Sequence, residues 1–113
     1  MYQTIKEALK KAGPTYDPGV KIGEVKTPYL VLHDMGVDPN PRTGGRLGQH
    51  VYEVVALVPL GRQQELKPLC DRARAALMHI PRLKFTGENA PTDIEEAYRG
   101  TSRSLIYRLP VII

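Results

Sequence analysis

One hundred and thirteen residues with a net charge of +4 make one domain, because a chain of this length hides about two-thirds of its unfolded surface on folding. No apolar run reaches the ~20 residues of a membrane span, the start Met1-Tyr2-Gln3-Thr4 lacks the charged-then-apolar pattern of a secretory signal, and the single cysteine, Cys70, excludes an internal disulfide or a cysteine-only zinc site. The excess of base is mild beside the clustered footprint of nucleic-acid binders, and it is partitioned: only lysines precede Arg42, and every arginine lies there or beyond.

Thr4-Ile5-Lys6-Glu7 fits a capping box, and Ile5, Ala8, Leu9 and Ala12 fall at helical spacing, so the pattern predicts a short helix stopped by Gly13-Pro14. Two turns cannot stand alone, so one face must lie on a sheet. After a loop over 14–19, residues 20–25 alternate loosely, as an edge strand would, with Gly23 a weakness. Tyr29-Leu30-Val31-Leu32-His33 is a stronger strand, entered through Pro28.

Residues 34–48 hold four glycines and two prolines and read as one long flexible loop, the kind that is functional or ordered only by a partner. Pairing the strands on either side of it makes an oversized hairpin whose tip projects from the body. Residues 51–58 are apolar on both strand faces and β-branched, which places them inside a sheet. A Pro-Leu-Gly turn leads to a helix from near Glu65, with Leu66, Leu69, Cys70, Ala73 and Leu77 on one side and Pro68 in the first turn, where no hydrogen bond is lost. Pro81 closes it. Leu83-Lys84-Phe85 suggests a short strand, residues 87–91 a polar turn, and residues 93–98 and 104–113 a closing hairpin turned at Arg99-Gly100-Thr101. Pro110, which cannot donate to a ladder, pushes the final residues to an edge or out of the sheet. The order of elements predicts an α+β domain over 1–113, a mostly antiparallel sheet with two α-helices packed on one face.

Chemistry-bearing patterns are few. Cys70 falls on an apolar helix stripe, where a buried inert thiol is expected. His33, His50 and His79 form no metal-ligand spacing. Asp93, Glu95 and Glu96 are the one acidic cluster, and Arg99 and Arg103 across the turn make it an ion-pair face. Thr43-Gly44-Gly45-Arg46-Leu47-Gly48 lacks the lysine and hydroxyl of a phosphate loop and precedes a strand instead of opening a helix. These residues predict no catalytic group, no cofactor and no metal.

Taken in order, the amphipathic start Ile5-Lys6-Glu7-Ala8-Leu9, the strand Pro28-Tyr29-Leu30-Val31-Leu32, the Gly/Pro loop, the apolar strand, the helix carrying Cys70-Asp71-Arg72-Ala73-Arg74-Ala75-Ala76-Leu77 and the close Arg103-Ser104-Leu105-Ile106-Tyr107-Arg108-Leu109-Pro110 resemble the tail-terminator proteins of long-tailed bacteriophages, also called tail-completion or tail-to-head joining proteins. The resemblance implies a non-enzymatic structural protein: a homo-oligomeric ring, commonly a hexamer, that caps the finished tail tube. Its partners would be the tail-tube protein and the head-connector protein, with DNA only passing through the hole and no membrane contact. It would reside at the head-tail junction of the virion and in the host cytoplasm before assembly. On that expectation Arg42 and Arg46 in the loop, with Arg99 and Arg103 near the closing turn, are the candidate interface residues, and exposed sheet edges are further contact points. A related head-tail connector or tail-assembly adaptor, and a small basic nucleic-acid-binding module, are the alternatives.

Overall fold

The computed structural model describes residues 1–21, 23–40, 42, 44, 46–88, 93–95 and 99–112. Its central strand is β3 (Leu47–Pro59), in which buried Tyr52, Val54, Ala56 and Val58 alternate with half-buried Val51, Glu53, Val55 and Leu57. A period of two with apolar residues in both rows requires a neighbour on each side. Those neighbours are β2 (Tyr29–Pro39) and β6 (Gly100–Ile112), both antiparallel to β3 and paired with it over most of its length. Outside β2 the two-residue β1 (Thr15–Tyr16) runs parallel to it, and along the outer side of β6 lie β4 (Lys84–Glu88) and β5 (Asp93–Glu95). The sheet therefore has six strands in the order β1-β2-β3-β6-β4, with β5 also on β6.

Both helices cover one face. Ile5 and Leu9 of α1 (Tyr2–Leu9) and Leu66, Leu69, Cys70, Ala73 and Leu77 of α2 (Leu66–Leu77) meet Leu30, Leu32, Val54 and Leu105 of the sheet in a single core. These sheet residues lie opposite one another in register, so they share a face. The architecture is α+β, a mostly antiparallel sheet with two helices on one face. The Tyr2 hydroxyl fixes α1 to the sheet, donating to the Asp17 carboxylate and lying 2.9 Å from the Leu32 carbonyl oxygen. Lys6 reaches the same carboxylate at 3.1 Å. Burial first, and then Asp17, push the Tyr2 phenol up to about 12, so the hydroxyl keeps its proton and its donor role.

Four sequence expectations are corrected. The long loop over 34–48 is mostly strand: β2 continues to Pro39 and β3 begins at Leu47, leaving residues 40–46 as the connection. Gly36 does not break β2 because it sits at φ 85° in a one-residue bulge, where Asp34 lies opposite Tyr52 and Val37 opposite His50. The described residues of 20–25 form no strand; instead Thr15 and Tyr16, read as loop, pair with Leu30 and Val31. Helix α1 starts at Tyr2 after Met1, without the Thr4 capping box, because Ile5 N–H already bonds the Met1 carbonyl at 3.0 Å. Strand β6 begins at Gly100 and not Ser104, since Thr101 and Ser102 pair with Val58 and Leu57. Of the strand read over 93–98, residues 93–95 form β5, while residues 96–98 lie outside the described residues.

Two core positions give measurable outcomes. Leu77 is 1 % exposed, so Leu77→Ala should cost about 2–5 kcal/mol in urea unfolding, as cavity-forming truncations do. A methyl group on Gly100 would lie 2.8 Å from Val25 Cγ2 and 3.1 Å from the Val58 carbonyl oxygen. Gly100→Ala should therefore destabilise by about 1–3 kcal/mol, and Val25→Ala combined with it should cost less than the sum of the two single changes.

Candidate interaction site: a projecting sheet arm

The row Tyr52–Tyr107 is the last across β3 and β6 to belong to the buried core. Beyond it β2, β3 and β6 run on together through residues 35–39, 47–51 and 108–112, forming a three-stranded arm that extends roughly 15 Å further. The molecule measures 48 × 26 × 23 Å with a radius of gyration of 14.7 Å, where a compact chain of this length has about 13 Å. It exposes 6811 Å², against about 6200 Å² for a compact protein of its mass.

The arm carries apolar side chains on both faces. Val37, His50 and Leu109 form one row, on the face that continues the helix-covered side; Leu47 and Ile112 form another, on the opposite face. Met35, Val37, Leu47 and Ile112 are 50 %, 45 %, 47 % and 85 % exposed. Exposed apolar patches of this kind are the usual candidates for contact surfaces.

Polar groups fix the arm at its root. His50 Nε2 lies 2.6 Å from Asp34 Oδ1, and the His50 ring stacks on Tyr52 at 4.4 Å between centroids and 8° between planes. The same Asp34 oxygen accepts the Gly36 N–H at 2.8 Å, so one carboxylate closes the bulge and holds the imidazole of the facing strand. Burial by itself raises the Asp34 pKa, but the hydrogen bonds from His50 and Gly36 outweigh it and hold the carboxyl below its ordinary value of 3.8. On the other face His33 Nδ1 is 3.6 Å from Glu53 Oε1, and the Arg108 guanidinium bridges Asp38 and Gln49 at 3.5 and 3.4 Å.

Both edges of the arm end on proline. Asn40 N–H bonds the Leu47 carbonyl at 2.8 Å, so Asn40 faces β3 and the preceding Pro39 faces outward. The Pro110 carbonyl oxygen accepts Arg82 Nη2 at 3.0 Å on the outer side of β6, so Pro110 turns its donor-less nitrogen to that edge. No ladder bond within the sheet is lost, and neither edge offers a full row of donors to another strand. The sequence expectation that Pro110 belongs at an edge holds in this sense, although β6 stays paired with β3 as far as Ile112.

The four candidate arginines do not converge. Arg42 and Arg46 are exposed at the arm tip. Arg99, at φ 50°, sits at the other end of β6 with its Nε 3.3 Å from Glu24 Oε1, and Arg103 is half-buried opposite Ala56. The length of β3 separates the two pairs by about 40 Å. Sequence reasoning missed Met35, Val37, Ile112 and the Asp34–His50 pair as site residues. The available signal was the run from Tyr29 to Val37, which reads as one strand once Gly36 is given a bulge.

Cys70 is 3 % exposed in the core, and among the described residues no three His, Cys, Asp or Glu side chains come together in a way that could hold a metal ion. Among them, too, no helix is long and apolar enough to cross a membrane. No family model matches the chain, and no curated protein does.

Because the folded pKa of Asp34 is depressed, its contribution to stability is fully present above the unfolded value and is lost as pH falls through the folded one. Asp34→Asn should thus lower the urea midpoint at neutral pH, and the gap to the parent protein should close as pH drops below 3.8. A gap that persists unchanged in acid would show that the carboxylate charge is not what closes the bulge.

Proposed function

We propose that this chain is the tail terminator of a long-tailed bacteriophage, a non-enzymatic protein whose copies form a ring that caps the tail tube and receives the head connector. The observation that carries the reading is the arm: a three-stranded extension, apolar on both faces, standing clear of an otherwise ordinary two-layer domain. The antiparallel sheet with two helices on one face is the architecture that the resemblance implies. A surface that meets a different surface on the next copy makes head-to-tail contacts, and these close into a ring where the rotation per copy completes a turn. With both arm edges ending on proline, the faces and the Arg42–Arg46 tip are the contact surfaces in this reading, and strand-to-strand addition at the edges is not.

Native mass spectrometry of the purified protein at high concentration, with electron microscopy of tails assembled without it, tests the proposal. Expected are a closed oligomer, commonly a hexamer, and tails of irregular length that fail to join heads. A strictly monomeric protein that never associates with tail ends would sink it, and binding at the junction without a ring would move the chain to the adaptor class.

Arg42 and Arg46 are exposed and distant from the core, so replacing both with alanine should change stability by less than about 0.5 kcal/mol. The same double variant should assemble more weakly, read as a lower oligomer fraction at equal concentration. Unchanged assembly would remove the tip from the interface.

A further inference from the structure

Where the arm leaves the body, a groove of about 310 Å³ opens between α2 and β4, floored by Leu83, Phe85 and Tyr107 and walled by Leu77 and Met78. Met78, just past the end of α2, is 73 % exposed, which is unusual for an apolar side chain beside a core. Tyr107, at the end of this lining, lies on the same face of β6 as Leu109 and Val111. The result is an apolar notch beside the root of the arm, a shape that receives the apolar side of an amphipathic segment.

The one carboxylate among the described residues lining the groove is already engaged: Asp71 lies 2.9 Å from Lys67 Nζ. The cations are not neutralised. Arg74 lies over the Phe85 ring at 4.2 Å and Arg82 donates to the Pro110 carbonyl, and among the described residues neither has a carboxylate within ion-pair distance. Arg74 lies in the groove itself and Arg82 adjoins Leu83 of its lining, each held in place with donors still to fill, and guanidinium pairs best with a carboxylate.

We propose that this notch binds an acidic amphipathic segment of a partner protein, its apolar side chains seated on Met78 and Leu83 beside the Arg74–Phe85 stack and its carboxylates on Arg74 and Arg82. The inference does not depend on ring formation, since the groove lies on the body between α2 and β4 and the ring contacts proposed above lie on the faces and tip of the arm.

Selection of a random-peptide display library on the intact protein, followed by anisotropy measurements on the enriched peptides, tests it. Expected is a consensus that combines at least two carboxylates with spaced leucine, isoleucine or phenylalanine. Met78→Glu should weaken those peptides on the order of tenfold or more while leaving the thermal midpoint unchanged, because the side chain is exposed. Arg82→Ala should weaken them and flatten their salt dependence. A basic or wholly polar consensus, no enrichment above the starting library, or peptide affinity indifferent to Met78→Glu would overturn the proposal. So would displacement of the peptides by a DNA oligonucleotide, or self-association of the parent protein abolished by Met78→Glu, since these outcomes give the notch to nucleic acid or to a second copy.

Discussion

The length of the strands against the length of the helices governs this molecule. At 13 residues, β3 spans about 43 Å, while α2 with 12 residues spans about 18 Å and α1 with eight about 12 Å. Helices of that size cannot cover a sheet of that length. The buried alternation of β3 from Tyr52 to Val58 marks the covered part, and the remainder becomes the arm. The excess of exposed surface over a compact protein follows from the same mismatch, and it approaches the roughly 800 Å² that one partner contributes to a standard interface.

An uncovered sheet needs its own means of staying flat and unaggregated. Three strands are about the minimum for independent stability, and the arm has three. Its cross-strand partners are paired by type: a stacked imidazole and phenol with a carboxylate at the root, and a guanidinium bridging two strands further out. The outward-facing nitrogens of Pro39 and Pro110 remove donors where a foreign strand would dock, and the bulge at Gly36 adds local twist to the β2 edge. What these features leave accessible are the faces and the tip. Recognition at such a place depends on side-chain complementarity, which discriminates between partners, and less on backbone ladders, which do not.

Much of the body was legible in the sequence because its residues obey one period each. Leu66, Leu69, Cys70, Ala73 and Leu77 repeat as a helix and all are buried, and the apolar pairs of β3 placed it mid-sheet as observed. The single helix-covered face followed from the same reasoning, as did the antiparallel pairing of residues 93–95 with β6, though not the position of the turn between them. The arm was hidden by composition. Gly36, Pro39 and Pro110 are strand breakers in a central position, yet each is harmless where it stands: Gly36 because a bulge accepts positive φ, and the prolines because their nitrogens face solvent. Turn-like composition and strand structure coexist when edges are open, and a reading that treats every strand as central cannot see it. The described residues of 20–25 failed in the opposite way: loose alternation with one glycine forms no strand there, and β1 takes the stretch of β2 at Leu30 and Val31.

The separation between body and arm has an energetic consequence. Changes more than about 10 Å apart that share no partners add independently, and among the described residues the arm is tied to the body by the row at Asp34, His50 and Tyr52 and by Arg82 on the Pro110 carbonyl. If the arm docks as proposed, that row is where folding and docking are coupled. Loosening the Asp34–His50 pair would leave the core packed while releasing the bulge that aims the arm, so its effect on association should exceed its effect on stability. At the tip the coupling is absent: side chains such as Ile112 contribute little to the folded monomer because they remain in water, and their full apolar area is still available to a partner. A domain built in this way can change what it binds by altering its arm without altering its core.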